Sequence, residues 1–132
     1  MDAARLKSIP LFAELPDRQR EQVAQWADEV DVKAGKHLVD QGRFAYEFFV
    51  IEEGSARVTH DEKHLTDLGP GDFFGEIGIL EDEPRTASVV ATSNMTLIVI
   101  TDRDFREMTR SMPQVAETVR RTMESRLKPS DQ

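Results

Sequence analysis

The segment Gly71-Asp72-Phe73-Phe74-Gly75-Glu76-Ile77-Gly78-Ile79-Leu80-Glu81-Asp82-Glu83-Pro84-Arg85-Thr86-Ala87-Ser88 concentrates the chemistry of this chain. Gly75 and Gly78 flank Glu76-Ile77 and let the backbone turn tightly and approach a ligand closely. A tight turn with successive N–H groups exposed, or the first turn of a helix, makes an anion site. Arg85 follows behind Pro84, nine positions after Glu76, at the start of an apparent strand. The planar guanidinium suits bidentate contact with a phosphate, and a carboxylate, a pure acceptor, suits a sugar hydroxyl. One carboxylate, one guanidinium and a nest of amides together fit a phosphorylated sugar. The same two side chains can equally form an ion pair across a loop, and the residues alone leave both readings open. Glu81-Asp82-Glu83 reads as a solvated loop rather than a metal site.

Outward from this segment, residues 30–101 read as β-rich. Short apolar stretches alternate with turn signals at Ala34-Gly35, Gln41-Gly42, Glu53-Gly54, His60 to Lys63, Gly69-Pro70-Gly71, Glu83-Pro84 and Ser93-Asn94. This spacing suits a sandwich or jelly roll of short strands. The strands are expected at Glu47–Glu52, Ser55–His60, His64–Leu68, Thr86–Thr92 and Met95–Thr101, with β-branched and aromatic residues densest in Phe48-Phe49-Val50-Ile51 and Leu97-Ile98-Val99-Ile100. Residues 1–29 read as helical, with Pro16 in a first turn and Val23, Trp26 or Ala27, and Val30 at helical spacing. Residues 102–128 return to helix. Asp102 is placed as an N-cap, Pro113 opens a second helix, and Val115, Ala116, Val119, Met123 and Leu127 share its apolar face. The fold class is therefore mainly β with flanking α-helices: one N-terminal helical part and two C-terminal helices, in a single domain over 1–132.

At 132 residues, the chain suits one compact domain with a real core. No apolar run approaches the ~18 residues of a membrane span, and Met1 to Pro10 lacks a signal peptide's apolar stretch. Cysteine is absent, which removes disulfides, thiolate nucleophiles and cysteine metal sites and fits a reducing cytoplasm. The net charge of -8 argues against broad binding to a nucleic-acid backbone. The imbalance is uneven, since residues 1–101 hold 10 basic and 19 acidic side chains and residues 102–132 hold 7 and 6. An anion bound in the acidic body must be held by specific groups against the overall field.

The segment Gly75 to Ala87 resembles the phosphate-binding cassette of cyclic-nucleotide-binding domains, a family that includes the catabolite activator protein, regulatory subunits of cyclic-AMP-dependent kinase and cyclic-nucleotide-gated channels. The Gly-Glu pair, the step to Arg85, the following Thr86-Ala87 and the upstream glycines Gly35, Gly42, Gly54 and Gly71 carry the resemblance. It covers nearly the whole chain and implies a double-stranded β-helix, or jelly roll. It also implies roles. Glu76 would accept a hydrogen bond from the ribose 2′-hydroxyl, and Arg85 would clamp the cyclic phosphate. Backbone N–H groups near Ile77 and Ala87 would complete the cradle, Thr86 would face the phosphate and the base, and Gly75 would give the ribose room. Val58, Leu65 and Leu68 would form an apolar wall. In kinase-type members an alanine after the arginine goes with cyclic AMP and a threonine favours cyclic GMP, whereas bacterial members with a hydroxyl there commonly use cyclic AMP. The resemblance thus implies cyclic AMP, with cyclic GMP as the alternative ligand, and no other cofactor. Family members usually close the pocket with the last helix. Here Lys128-Pro129-Ser130-Asp131-Gln132 ends the chain at that point, so the lid is shortened, absent, or built from Met123, Arg126 or Leu127.

Other tempting residues carry blander readings. His60 and His64 flank Asp61-Glu62-Lys63 in an expected hairpin turn rather than on a helix, so no metal site is assigned. Arg120, Arg121, Arg126 and Lys128 read as a solvated helix face rather than a nucleic-acid contact. Asp102, Asp104 and Glu107 read as a charged helix start. His37 reads as a surface strand residue and Trp26 as core. No nucleophile elbow or P-loop lysine is present, so no enzyme is expected. The last helix either docks on the roll or pairs with a second copy. The expectation is a sensor or regulatory domain that signals by repacking its C-terminal helices toward a protein partner or output domain. The alternatives are a transcription regulator of the activator type lacking its helix-turn-helix, and an interaction module that binds no ligand.

Overall fold

Phe48-Phe49-Val50-Ile51 and Leu97-Ile98-Val99-Ile100 are buried at every position, because the sheet they build is covered on both faces. Side chains alternate across a strand. Phe48, Val50, Ile98 and Ile100 join a core shared with the helices, while Phe49, Ile51, Leu97 and Val99 join a second core between two sheets. The structure is a computed structural model that describes residues 1–44, 46–82 and 84–127.

Among the described residues, eight strands form two four-stranded antiparallel sheets packed as a jelly roll. One sheet has the order β1 (Asp28–Val32), β8 (Met95–Thr101), β3 (Glu47–Glu53), β6 (Phe73–Phe74). The other has the order β2 (His37–Val39), β7 (Ser88–Ala91), β4 (Ala56–His60), β5 (Lys63–Leu68). The register sets Phe49 opposite both Val99 and Phe74. The outer strand β1 carries Asp28, Glu29 and Asp31 on its exposed positions, charges that discourage pairing with another edge.

The N-terminal part is a 3-10 turn (Ala3–Ser8) followed by α1 (Pro10–Ala13) and α2 (Asp17–Trp26). After the roll come α4 (Asp102–Ser111) and α5 (Pro113–Leu127), with the short α3 (Glu76–Leu80) inside the roll. Leu6, Phe12 and Val23 from the N-terminal part meet Phe105, Met108, Val115 and Val119 from the C-terminal helices in the helix-side core. Phe105 stacks on Phe48 with ring centroids 4.3 Å apart. The last helix therefore docks on its own domain through Val115 and Val119.

Several sequence expectations are corrected. The helical N-terminal zone ends at Trp26, and Val30 lies in a strand on an exposed edge; its spacing from Val23 matched a helix by coincidence. Strand β7 is shorter than expected because Thr86 and Ala87 leave the ladder to line a cavity. Thr101, not Asp102, caps α4, its hydroxyl accepting from Asp104 N–H at 3.3 Å. The segment after Gly75 is a helical turn, one of the two forms the residues allowed. Trp26 is half-buried against the helix-side core. The His60–His64 stretch is the expected turn between strands, with Asp61 and Glu62 at positive φ. The expectations at Glu83 and for residues 128–132 lie outside the described residues.

Candidate ligand-binding site

Where β6 hands over to α3, the chain passes through Gly75 at φ 99°, a left-handed conformation that glycine adopts without steric cost. That turn drives Glu76 inward, and its side chain is only 1% exposed. Arg85 approaches from the far end of the same excursion. Its main chain is fixed to the loop between β2 and β3: Arg85 N–H donates to Arg43 O at 2.6 Å, and Gly42 N–H donates to Arg85 O at 2.8 Å. Its guanidinium then reaches back across the roll. Nη1 donates to Gly75 O at 2.9 Å and Nη2 to Glu47 O at 2.8 Å, while the buried Nε has no hydrogen-bond partner. Among the described residues no carboxylate lies within ion-pair distance of Arg85. Burial pushes the guanidinium below its ordinary pKa, and the Glu76 and Glu47 charges counter that shift in part.

The Glu76–Arg85 ion pair that the residues allowed is not formed. Glu76 instead meets Arg126, from the end of α5. Nη1 of Arg126 donates to both Glu76 oxygens, at 2.7 and 2.9 Å, and Nη2 donates to Phe73 O at 2.7 Å. The same guanidinium lies 5.4 Å from the centre of the Phe73 ring, within cation–π range. Arg126 thus leaves the solvated basic face on which the sequence reading placed it. Arg120 and Arg121 stay on that face and pair with Glu117. The signal was present in the spacing: Val115, Val119 and Arg126 fall at i, i+4 and i+11, one stripe of a helix.

These groups border a cavity of 360 Å³, inside the range of small-molecule sites. The structure brings all nine sequence-chosen residues to its wall. Gly75, Glu76 and Ile77 come from the α3 turn, Arg85, Thr86 and Ala87 from the approach to β7, and Val58, Leu65 and Leu68 from β4 and β5. Leu68 is buried, Val58 half-buried and Leu65 exposed. Val39, Thr66, Phe74, Gly78, Val89 and Arg126 complete the wall, and sequence reasoning had not assigned the first five. The wall's only charged side chains among the described residues are Glu76, Arg85 and Arg126. The cavity is therefore a positive spot in a chain of net charge -8.

The same elements tie the cavity to the C-terminal helices. Arg106 of α4 donates to Ile79 O at the end of α3, and Arg126 of α5 holds Glu76 at its start. Beyond the cavity, His60 Nδ1 lies 2.8 Å from Thr86 O, and Gln41 N–H donates to Ser88 Oγ at 2.9 Å, bracing the Arg85–Ser88 leg.

A family model described as the cyclic nucleotide-binding domain matches residues 29–112, more than half of the chain. The chain belongs to the cyclic nucleotide-binding domain family. A cyclic nucleotide-gated potassium channel of Rhizobium etli is 31% identical over 115 residues, 87% of this chain and 32% of the channel. Among solved structures, the catabolite activator protein of Thermus thermophilus superposes with a TM-score of 0.77 at 28% identity, over 89% of this chain and 58% of that one. The regulatory subunit of a cAMP-independent protein kinase A from Trypanosoma brucei superposes with a TM-score of 0.84 at 25% identity, over 92% and 44%. The domain spans less than two thirds of each of these relatives. No helix among the described residues is long and apolar enough to cross a membrane.

Proposed function

We propose that this domain is a cyclic-nucleotide sensor with no catalytic role of its own, cyclic AMP being its first-choice ligand and cyclic GMP the alternative. The observation that carries the reading is Arg85: a residue 8% exposed, its guanidinium bonded only to neutral carbonyls, bordering a cavity of nucleotide scale. A buried cation without an acidic partner is costly, and a cyclic phosphate monoanion supplies that partner. Two guanidinium groups against one carboxylate on the wall match a ligand of one negative charge. Glu76 accepts from the ribose 2′-hydroxyl, and Val58, Leu65 and Leu68 face the apolar side of the ligand. Thr86, with its exposed side chain beside Arg85, stands toward the phosphate and base.

The signal passes through the C-terminal helices. Arg106 and Arg126 connect α3 to α4 and α5 directly, so a shift of the cassette repacks both helices toward a partner protein or output domain. Calorimetric titration with cyclic AMP and cyclic GMP, run beside Arg85→Ala, tests the reading. Saturable binding of one nucleotide that is lost in the variant is expected. Absence of heat with both nucleotides, in a protein shown to be folded, overturns it.

A second reading is a module that keeps the roll and acts without cyclic AMP, as the Trypanosoma brucei relative's kinase is described as doing. The same titration separates the two.

A further inference from the structure

The leg that carries Arg85, Thr86 and Ala87 is held from outside the cavity by a closed ring of polar contacts. His60 Nδ1 lies 2.8 Å from Thr86 O; a carbonyl only accepts, so this nitrogen carries a proton. His60 Nε2 lies 3.3 Å from Asp61 Oδ2. Asp61 is itself pinned, because Gln41 Nε2 donates to its Oδ1 and its own N–H donates to Gln41 Oε1, both at 2.9 Å. Gln41 N–H then returns to the leg at Ser88 Oγ.

The contact with Thr86 fixes more than a carbonyl. The Thr86–Ala87 peptide is trans, and in a trans peptide the C=O and the following N–H point in opposite directions. Thr86 O turned outward to His60 therefore turns Ala87 N–H inward, to the cavity that Ala87 lines. Among the described residues that N–H has no backbone acceptor, which leaves it to a phosphate oxygen. Both nitrogens of His60 face acceptors, and a neutral imidazole donates from only one. The imidazolium serves Thr86 O and Asp61 together, through charge-assisted contacts. Asp61 and Glu62 of the turn favour that cation, and Lys63, the register partner of His60 on β5, opposes it. The loop between β2 and β3 presents neutral Gln41, its Asp40 being bonded to His37. On the leg, Arg85 sends its guanidinium away to Gly75 and Glu47.

We propose that His60 is a positioning residue that aims Ala87 N–H at the ligand's phosphate, and that its protonation couples nucleotide affinity to pH. This rests on the sensor reading above and adds a second input to it. The imidazolium holds the leg in the binding arrangement more firmly than the neutral ring. Affinity therefore rises as pH falls through the histidine range, and by reciprocity nucleotide binding takes up protons.

Calorimetric titration with cyclic AMP and cyclic GMP at a series of pH values tests the coupling. The His60 side chain is half exposed, so its replacement leaves the core untouched. In the unaltered protein, affinity is expected to rise roughly threefold from about pH 8 to about pH 6, a range in which the cyclic phosphodiester keeps its single charge. His60→Asn sets an amide N–H where Nδ1 stood, and should hold affinity near the value of the unaltered protein at the alkaline end while losing the pH dependence. His60→Leu should bind roughly tenfold more weakly at every pH. Affinity that stays level with pH in the unaltered protein, or equal losses in His60→Asn and His60→Leu, overturns the proposal and leaves the sensor reading intact. If the unaltered protein binds neither nucleotide at any pH, the sensor reading falls and this inference falls with it.

Discussion

Gly75 and Arg85 share one space: Gly75 O accepts from Arg85 Nη1 at 2.9 Å, and a Cβ on Gly75 would stand 2.8 Å from that same nitrogen and 2.9 Å from Glu47 O. The absent side chain is what lets the guanidinium lie against the turn that aims Glu76.

Gly75→Ala is therefore expected to do two things at once. The left-handed backbone alone costs about 1–2 kcal/mol of stability, and the displaced guanidinium loses its place beside the cavity. Denaturant unfolding and nucleotide titration read the two effects separately. Gly54→Ala is the control. It has φ 94° and a Cβ position 2.9 Å from Met95 Cα, and it does not line the cavity, so stability should fall while nucleotide affinity holds. Loss of affinity in Gly54→Ala to the same degree would remove the special role given to Gly75.

Arg85→Met separates binding from stability in the opposite sense. The guanidinium is buried without an acidic partner and leaves Nε unsatisfied, so an apolar chain of similar length should leave the unfolding midpoint unchanged or raise it. Nucleotide affinity should fall by about 100-fold or more, since charge-assisted contacts are worth about 1.5–3 kcal/mol each. A large drop in melting temperature would show that Arg85 is chiefly a structural strut between Gly75 and Glu47.

Phe105→Ala removes the ring stacked on Phe48 at 4.3 Å in the fully buried helix-side core. The expected loss is about 3–5 kcal/mol, read by chemical denaturation. A loss below about 1 kcal/mol would mean that α4 can collapse onto the sheet without it.

Thr101→Ala tests the corrected helix start. The hydroxyl accepts from Asp104 N–H, and its removal should cost about 1 kcal/mol. Asp102→Ala, one position inside the helix, should cost less. The reverse ranking would restore Asp102 as the cap.

The strands richest in apolar residues were legible because burial on both faces leaves an unbroken run, as in Leu97-Ile98-Val99-Ile100. Strand β1 was not, because Asp28, Glu29 and Asp31 sit on an exposed edge where no periodicity of burial is imposed. The nine cavity residues were legible through the cassette's resemblance to a family, whereas their partners were not. Arg85 bonds to the carbonyls of Gly75 and Glu47, and a backbone acceptor leaves no mark on residue type. The pairing of Glu76 with Arg126 spans fifty positions. The resemblance offered Arg126 beside Met123 and Leu127 as a lid candidate, and the helical stripe shared with Val115 and Val119 agrees that it turns inward.

The alternation along β3 has a consequence for how such a domain can change over time. Phe48 belongs to the compartment built with the helices, and Phe49, its neighbour in the chain, belongs to the compartment next to the cavity wall. One strand is thus a partition with a different trade on each side. Substitutions on the even-numbered residues can recut the helical half for a new output, while the odd-numbered residues hold the recognition half constant. Input and output can then diversify separately, although they share a single sheet.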